Sequence, residues 1–533
     1  MDALALYRQG RYPEAFSLAH RQGEAKTAVL ALLGLGKVAE AQHLLEAWQP
    51  QGREDQAERL ALLGFAAFRQ DDLPTYRRLA LAAAQTAQTP LTLYHLGLSL
   101  PPRDGLLALQ EALHRLQAQA APPVEQARLA YALARTLRRL GRWAEALSYA
   151  SLAVLQDPQP HYRLEELTLL AYTGEEPLPN LEKALPPFLA HPAPSVRYYA
   201  LWLSLLLQGM QGAPDPDLLP TLLHQTPHPH LPYDLPLRVL LFQAQPSQQP
   251  LLARLLRAAR AQPSREPLPQ ALLLLAEGLY RYPQPEARLL LEESFPTLEI
   301  EWAEEALRAA AHLSALEGQP LPEPYRSMAR SLRPEARALF LPTELPSLTP
   351  TTPYLETLGK AQLQGFPNLR PRSLELLTLL LAYPEGITGE ALAQELYPQP
   401  NPQALKTELC RLRQQGFEVL SRPYQLLTPI EADFLKLQEA LEQNQLHQAL
   451  ALYQGPLLPR SQAPGIEVLR NQIEEQLKRR VLDHPDPEPL YQLAQKLPDD
   501  LTLWEALLQR LPAQDPRYPA VLAWARGLSA QYR

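Results

Sequence analysis

Residues 401 to 427, NPQALKTELCRLRQQGFEVLSRPYQLL, bring amides, a hydroxyl and cations together at helical spacing. Asn401 suits a helix cap, and Pro402 suits the first helical position, where no amide partner is needed. Gly416 suits a left-handed stop. At about 100° per residue, Leu405, Leu409 and Leu412 fall within about 60° of one another, a stripe that must be buried. The opposite face then carries Gln403, Thr407, Cys410 and Gln414, with Arg411 beside it and Lys406 and Arg413 on one shoulder. Amides read base edges and cations meet phosphates. The pattern predicts that Gln403, Thr407, Cys410, Arg411 and Gln414 face bases, and that Lys406 and Arg413 meet the DNA backbone.

Such a helix needs elements to position it. ITGEALAQELYP offers Thr388 as a cap, Glu390 in the first turn, and Leu392 and Leu396 for burial. YPQPNP connects it onward. Helices are expected at about 372–382, 389–396 and 402–415, with a hairpin near 417–427 and short strands in YLETLGKAQLQGF, 354–366. Val419–Ser421 and Tyr424–Leu427 read as wing strands. Arg422 and Pro423 form the tip, and Arg422 reaches a phosphate or the minor groove. This order describes a winged helix-turn-helix.

The stretch RPRSLELLTLLLAYPEGITGEALAQELYPQPNPQALKTELCRLRQQGFEVLSRPYQLL resembles the OmpR/PhoB-type winged-helix domain of bacterial antibiotic-regulatory-protein-type activators. The shared pattern is Leu374 to Leu381, Thr388, Leu409 to Arg413, and Tyr424 to Leu426. ALYQGPLLPRSQAPGIEVLRNQIEEQLKRRVL, 451–482, is similar to the bacterial transcriptional activation domain that follows such modules, with Tyr453, Gly455, Leu457, Leu458 and Pro459 as its core. The resemblance covers about 350–490, and the tail more loosely. It implies a bacterial transcription regulator that binds double-stranded promoter DNA, as tandem copies or a homodimer. It also implies that RNA polymerase is touched by the connecting loop, at Tyr397, Gln399 and Asn401. The chain departs from the family in having neither a receiver domain nor a nucleotide-binding module. Between 354 and 427, seven cations balance seven anions, so a single copy should bind DNA weakly.

Upstream, the chain repeats itself. Turn residues precede helices at Gly10, Gly36, Asp71, Gly105 and Gly141, a period near 34 that signals tetratricopeptide-like helix pairs. The best copy, 127–158, puts small Ala134, Ala146 and Ala153 where helices cross. Beyond 160 the repeat loosens, but LEKALPPFLAHP, LPTLLHQTP, PLLARLLRAARAQP, PQALLLLAEGLYRYP and EWAEEALRAAAHLSALEG each read as an amphipathic helix. Prolines, 57 in all, punctuate these runs. The expected fold is mainly α. Repeats occupy 1–160, irregular helical repeats 161–345, a linker 346–353, the winged helix 354–428 and a helical activation-like domain 429–533. The solenoid would receive a peptide or protein.

At 533 residues and net charge −7, the chain is too long for one core and too acidic to coat nucleic acid non-specifically. One cysteine, no long apolar run and no signal segment point to a cytoplasmic protein without membrane contact. His224, His228 and His230 lack metal-ligand spacing, and GLGKVAE at 34–40 lacks a phosphate loop's first glycine and final hydroxyl. No metal, cofactor or enzymatic activity is expected, and Cys410 reads as a small side chain rather than a redox switch. The competing reading is an interaction scaffold whose winged helix docks protein.

Overall fold

The computed structural model describes residues 2–8, 11–70, 72–212, 267–343, 353–364 and 369–531, with isolated positions between 252 and 260 and at 345 and 366. The expected linker 346–353 lies almost entirely outside these. So do the turns at Gly10 and Asp71, His224, His228 and His230, and most of the helices expected between 219 and 263. The chain divides into two compact units, Met1–Pro346 with Gln514–Trp524, and Ser347–Ala513 with Ala525–Arg533. Both are mainly helical.

The first unit is built from helix pairs. They are α1 (Ala3–Arg8) with α2 (Tyr12–Gln22), α3 (Ala25–Gly34) with α4 (Val38–Ala47), α5 (Arg53–Phe68) with α6 (Leu73–Thr86), α7 (Pro90–Ser99) with α8 (Pro102–Ala118), and α9 (Pro123–Arg139) with α10 (Trp143–Gln156). Gly36 and Gly141 make the predicted turns with φ of 74° and 72°. Gly105 does not. It lies inside α8, where a Cβ would stand 2.1 Å from the carbonyl oxygen of Gly97 in α7. Its role is close helix crossing, and Pro101 and Pro102 make the turn instead. Ala134, Ala146 and Ala153 are fully buried at the α9–α10 contact, as their size requires.

Four helices continue the unit: α11 (Pro160–Thr173), α12 (Leu178–Lys183), α13 (Pro186–Leu189) and α14 (Pro194–Met210). LEKALPPFLAHP is thus two short helices rather than one, because Pro186 cannot donate into a continuing turn. Further along come α15 (Pro267–Arg281), α16 (Pro285–Glu301), α17 (Ala303–Glu317), α18 (Tyr325–Ser331) and α19 (Pro334–Phe340). Extended Trp302 divides α16 from α17, so the helix expected for EWAEEALRAAAHLSALEG starts two residues later, at Ala303, and Glu301 ends the preceding helix. These later helices pack back on the earlier ones. Arg139 of α9 donates to the Glu301 carbonyl at 3.0 Å and pairs with its carboxylate at 2.8 Å. Prolines open many helices, where no amide partner is lost.

The second unit contains a three-stranded sheet in the order β2-β1-β3. Strand β1 (Tyr354–Glu356) pairs antiparallel with β2 (Gln362–Leu363) and parallel with β3 (Glu431–Ala432), with Leu355 opposite Leu363 and Ala432. Between β2 and β3 run α20 (Pro371–Ala382), α21 (Gly389–Leu396) and α22 (Pro402–Gln414); after β3 come α23 (Asp433–Glu442), α24 (Leu446–Leu452), α25 (Pro464–Asp483), α26 (Pro487–Lys496) and α27 (Leu501–Arg510), and the last helix, α28 (Tyr518–Gln531), belongs to the first unit up to Trp524 and to the second from Ala525. Asp433 ties β1 to α23. Its buried carboxylate accepts from Thr357 N at 2.7 Å, Thr357 Oγ1 at 2.5 Å, Leu358 N at 2.8 Å and Phe434 N at 2.8 Å. Burial pushes this carboxyl up against the pull of those donors.

The segment around Tyr453–Pro459 completes the sheet side. Leu458 N donates to Thr357 O at 2.7 Å and Gly359 N to Pro456 O at 2.9 Å. Arg470 of α25 then holds the carbonyls of Leu457, Leu458 and Ser461 at 2.8, 2.7 and 3.1 Å. Among the described residues, no helix is long and apolar enough to cross a membrane.

Candidate nucleic-acid interface

The three helices α20, α21 and α22 pack around leucines. Leu376, Leu377, Leu379, Leu392, Leu396, Leu405, Leu409 and Leu412 are each no more than 2% exposed. Thr388 caps α21 by accepting from Ala391 N at 3.3 Å, and Asn401 caps α22 by accepting from Ala404 N at 3.0 Å. Past α22, Gly416 adopts φ of 95° and the Phe417 amide turns back to Leu412 O at 3.2 Å.

A hairpin follows, reduced from the expected strands to isolated bridges. Val419 opposes Leu426, with Leu420 N donating to Gln425 O and Leu427 N to Glu418 O, each at 2.8 Å. Tyr424 bridges to Ile387 just before α21 through two bonds of 2.9 and 2.8 Å. Gly386 and Gly389 leave room for this crossing. A Cβ on Gly386 would stand 2.6 Å from Pro423, and one on Gly389 2.9 Å from the Tyr424 ring.

With the leucines inward, the predicted polar face turns outward. Gln403, Lys406, Thr407, Cys410, Arg413 and Gln414 are exposed on α22, and Arg422 is exposed at the hairpin tip. Arg411 is half-buried and its guanidinium pairs with Glu408, which also accepts from Ser373 Oγ at 3.4 Å. Arg413 turns toward the hairpin, donating to Val419 O at 2.9 Å and Ser421 Oγ at 3.0 Å. Two of the four cations assigned to DNA therefore already have partners inside the module. Glu408, three residues before Arg411, is the local signal for the first pairing. Nothing local announces the second.

The loop 397–401 between α21 and α22 is held from α20. Arg372 donates to Leu396 O at 2.8 Å, pairs with Glu375 at 2.8 Å and lies 5.1 Å above the Tyr397 ring. Burial, with Glu408 nearby, pushes the Tyr397 phenol up. Of the three loop residues the resemblance singles out, Tyr397 is half-buried and Asn401 is engaged as a cap, while Gln399 is exposed. Cys410 is a free thiol on the exposed face. Among the described residues, no cluster of histidine, cysteine or carboxylates could hold a metal.

Comparison with known proteins adds three likenesses. The model of the YTH3-like protein family's third C-terminal helical domain matches residues 498–533. An uncharacterized 47.3 kDa protein in the thcA 5′ region of Rhodococcus erythropolis is 30% identical over 208 residues, which is 37% of this chain and 47% of that protein. The chain thus spans about half the length of this curated relative. The crystal structure of the APC/C hetero-tetramer Cut9–Hcn1 aligns with a TM-score of 0.29 at 15% identity, covering 95% of this chain and 94% of that one. That score is too low to equate the two folds. None of these names speaks of DNA, so the OmpR/PhoB-type resemblance rests on the quoted residues alone.

Proposed function

We propose that the protein is a helical-repeat interaction protein that carries a DNA-docking module and regulates transcription. The helix pairs of the first unit supply the interaction surface. The module at 371–427 is read as a winged helix whose α22 enters the major groove and whose hairpin tip lies along the backbone. One observation carries this reading: Gln403, Lys406, Thr407, Cys410 and Gln414 share one unobstructed face of a helix whose other face is sealed by leucine. Amides spaced along an exposed helix are suited to adenine edges, and Lys406 and Arg422 to phosphates. RNA polymerase contact through Gln399 and pairing of two copies on DNA belong to the same proposal.

The test is an electrophoretic shift of the full chain on genomic fragments at low and moderate salt. Gln403→Ala with Gln414→Ala should weaken selective binding by about 1–3 kcal/mol per lost base contact. Lys406→Ala should weaken binding on all sequences and lower the salt slope by about one. An unchanged shift in the amide variant would reject α22 as the reading helix.

A second reading has its own support. The balanced charge of 354–427 and the internal pairing of Arg411 and Arg413 favour a module that docks protein rather than DNA. Absence of any shift at low salt would select this scaffold reading.

A further inference from the structure

Four arginines of α9 fall into two classes. Arg138 and Arg139 have carboxylate partners, Glu165 at 2.7 Å and Glu301 at 2.8 Å. Arg128 and Arg135, nearer the start of the helix, form no ion pair within 4 Å among the described residues, and neither is fully buried; Arg128 is hydrogen-bonded to the Tyr7 side chain, and Arg135 feels Glu165 at longer range. Both instead lie among aromatic rings. The Arg128 guanidinium is 5.7 Å from the Tyr7 ring of α1, and that of Arg135 is 5.8 Å from the Tyr131 ring of its own helix. Tyr131 in turn packs on Tyr162 of α11, with ring centres 4.7 Å apart. Residues 128, 131 and 135 share one helical face, which places the two cations roughly 10 Å apart along the axis.

We infer that this face of α9, closed on one side by Tyr7 and on the other by Tyr162, binds an acidic peptide segment. The inference rests on the proposed interaction role of the first unit and names the partner's chemistry. Guanidinium groups without a carboxylate partner seek one, and the half-buried rings of Tyr7 and Tyr131 offer flat apolar surface to the residues between them. An extended polyproline-type segment repeats its side-chain direction every three residues, about 9 Å, and so presents successive acids at the spacing of the two arginines. A nucleic acid strand fits less well. Among the described residues this face presents the two cations Arg128 and Arg135, the chain is acidic overall, and continuous phosphates would need more.

The experiment measures fluorescence anisotropy of the full chain with a labelled peptide of about twelve residues repeating Asp-Pro-Leu. Controls are the same peptide with asparagine for aspartate, and a labelled oligothymidine of similar length. The acidic peptide should bind, weaken with salt, and lose about tenfold in affinity with either Arg128→Gln or Arg135→Gln, with melting temperature unchanged. The asparagine peptide and the oligothymidine should bind at least tenfold more weakly. Equal binding of the asparagine peptide, abolished by Tyr131→Ala, would overturn the acidic partner while keeping the groove. Preference for oligothymidine would replace the peptide with a nucleic acid. No binding by any probe would reject the groove and, with it, this surface as the unit's interaction site.

Discussion

The N-terminal unit buries whole ion pairs, Arg138 and Arg308 with their glutamates, whereas in the helical module at 371–414 the buried carboxylates Glu375 and Glu408 pair with half-exposed arginines around a leucine interior. Inside the helix pairs, Arg138 meets Glu165 at 2.7 Å and Glu304 at 3.8 Å. Tyr199 and Tyr172 close the network by donating to those glutamates at 2.6 and 2.9 Å. Glu305 and Arg308 lie beside them, and Arg308 stands 4.1 Å above the Phe340 ring. The module of α20 to α22 places its charge pairs, Arg372 with Glu375 and Arg411 with Glu408, at the edge of an aliphatic interior rather than within it. Leucine packing tolerates small slips, whereas buried ions demand one register. A long stack of similar helices has many near-equivalent registers, and paired charges select among them.

That contrast can be broken first at Arg138. Arg138→Ala leaves Glu165 buried without its paired cation and Glu304 with Arg308 alone, at 3.9 Å, and should destabilise the first unit by about 3–5 kcal/mol. Denaturant titration followed by circular dichroism should show its transition move while that of the second unit stays. A shift below 1 kcal/mol would mean the network is not a structural ion cluster. In the other unit, Leu409→Ala should cost about 3 kcal/mol through the cavity it leaves, with no dependence on pH or salt.

The pH dependence should also separate the units. Burial pushes the Glu305 carboxyl up to about 7. The folded state then holds a proton that the unfolded chain releases above its ordinary value of 4.5. Stability from this group is therefore fully present below about 4.5 and lost progressively as pH rises to the folded value near 7, by on the order of 3 kcal/mol. Glu305→Gln removes this contribution, so its melting temperature should rise relative to that of the parent chain between pH 5 and 7. His95 has the opposite sign. Burial lowers it to about 3, so stability falls as pH drops from 6.5 toward 3, where only the unfolded chain takes up the proton. Between about pH 4.5 and 6.5 the two slopes oppose and nearly offset one another, so each is read as a variant-minus-parent difference: a Glu305→Gln difference, or a His95→Gln difference, that does not change with pH would contradict the corresponding assignment.

Legibility in the sequence follows the range of the interaction. Asn401, Pro402, Gly416 and the stripe of Leu405, Leu409 and Leu412 act within one helix, so their roles can be read from spacing alone. The same holds for Gly36, Gly141 and the close-packed alanines of α9 and α10. Gly105 misleads because a glycine before a helical run reads as a turn, whereas its partner, Gly97, lies on a neighbouring helix. The Arg138 network, the Asp433 clamp and the carbonyl grip of Arg470 join residues far apart in the chain, and no local pattern pairs them. Arg413 shows the same limit within the candidate interface. Periodicity places it on the helix shoulder, but only the folded hairpin turns it toward Val419 and Ser421.

The smallest expected effect sharpens the comparison most. A face kept for structure resists substitution, and a face kept for recognition does not. Gln403, Thr407 and Gln414 are exposed, and removing their side chains leaves no cavity and no unpaired buried group. Replacing all three by alanine should change the stability of the second unit by no more than about 0.5 kcal/mol, the usual range for surface positions, with alanine's helix propensity offsetting the hydroxyl that Thr407 lends to Gln403 O at 3.1 Å. The same variant should lose the selective DNA shift. A measured destabilisation of 2 kcal/mol or more would mean that this face packs against something in the folded protein, and the leucine-in, amide-out description of α22 would be wrong.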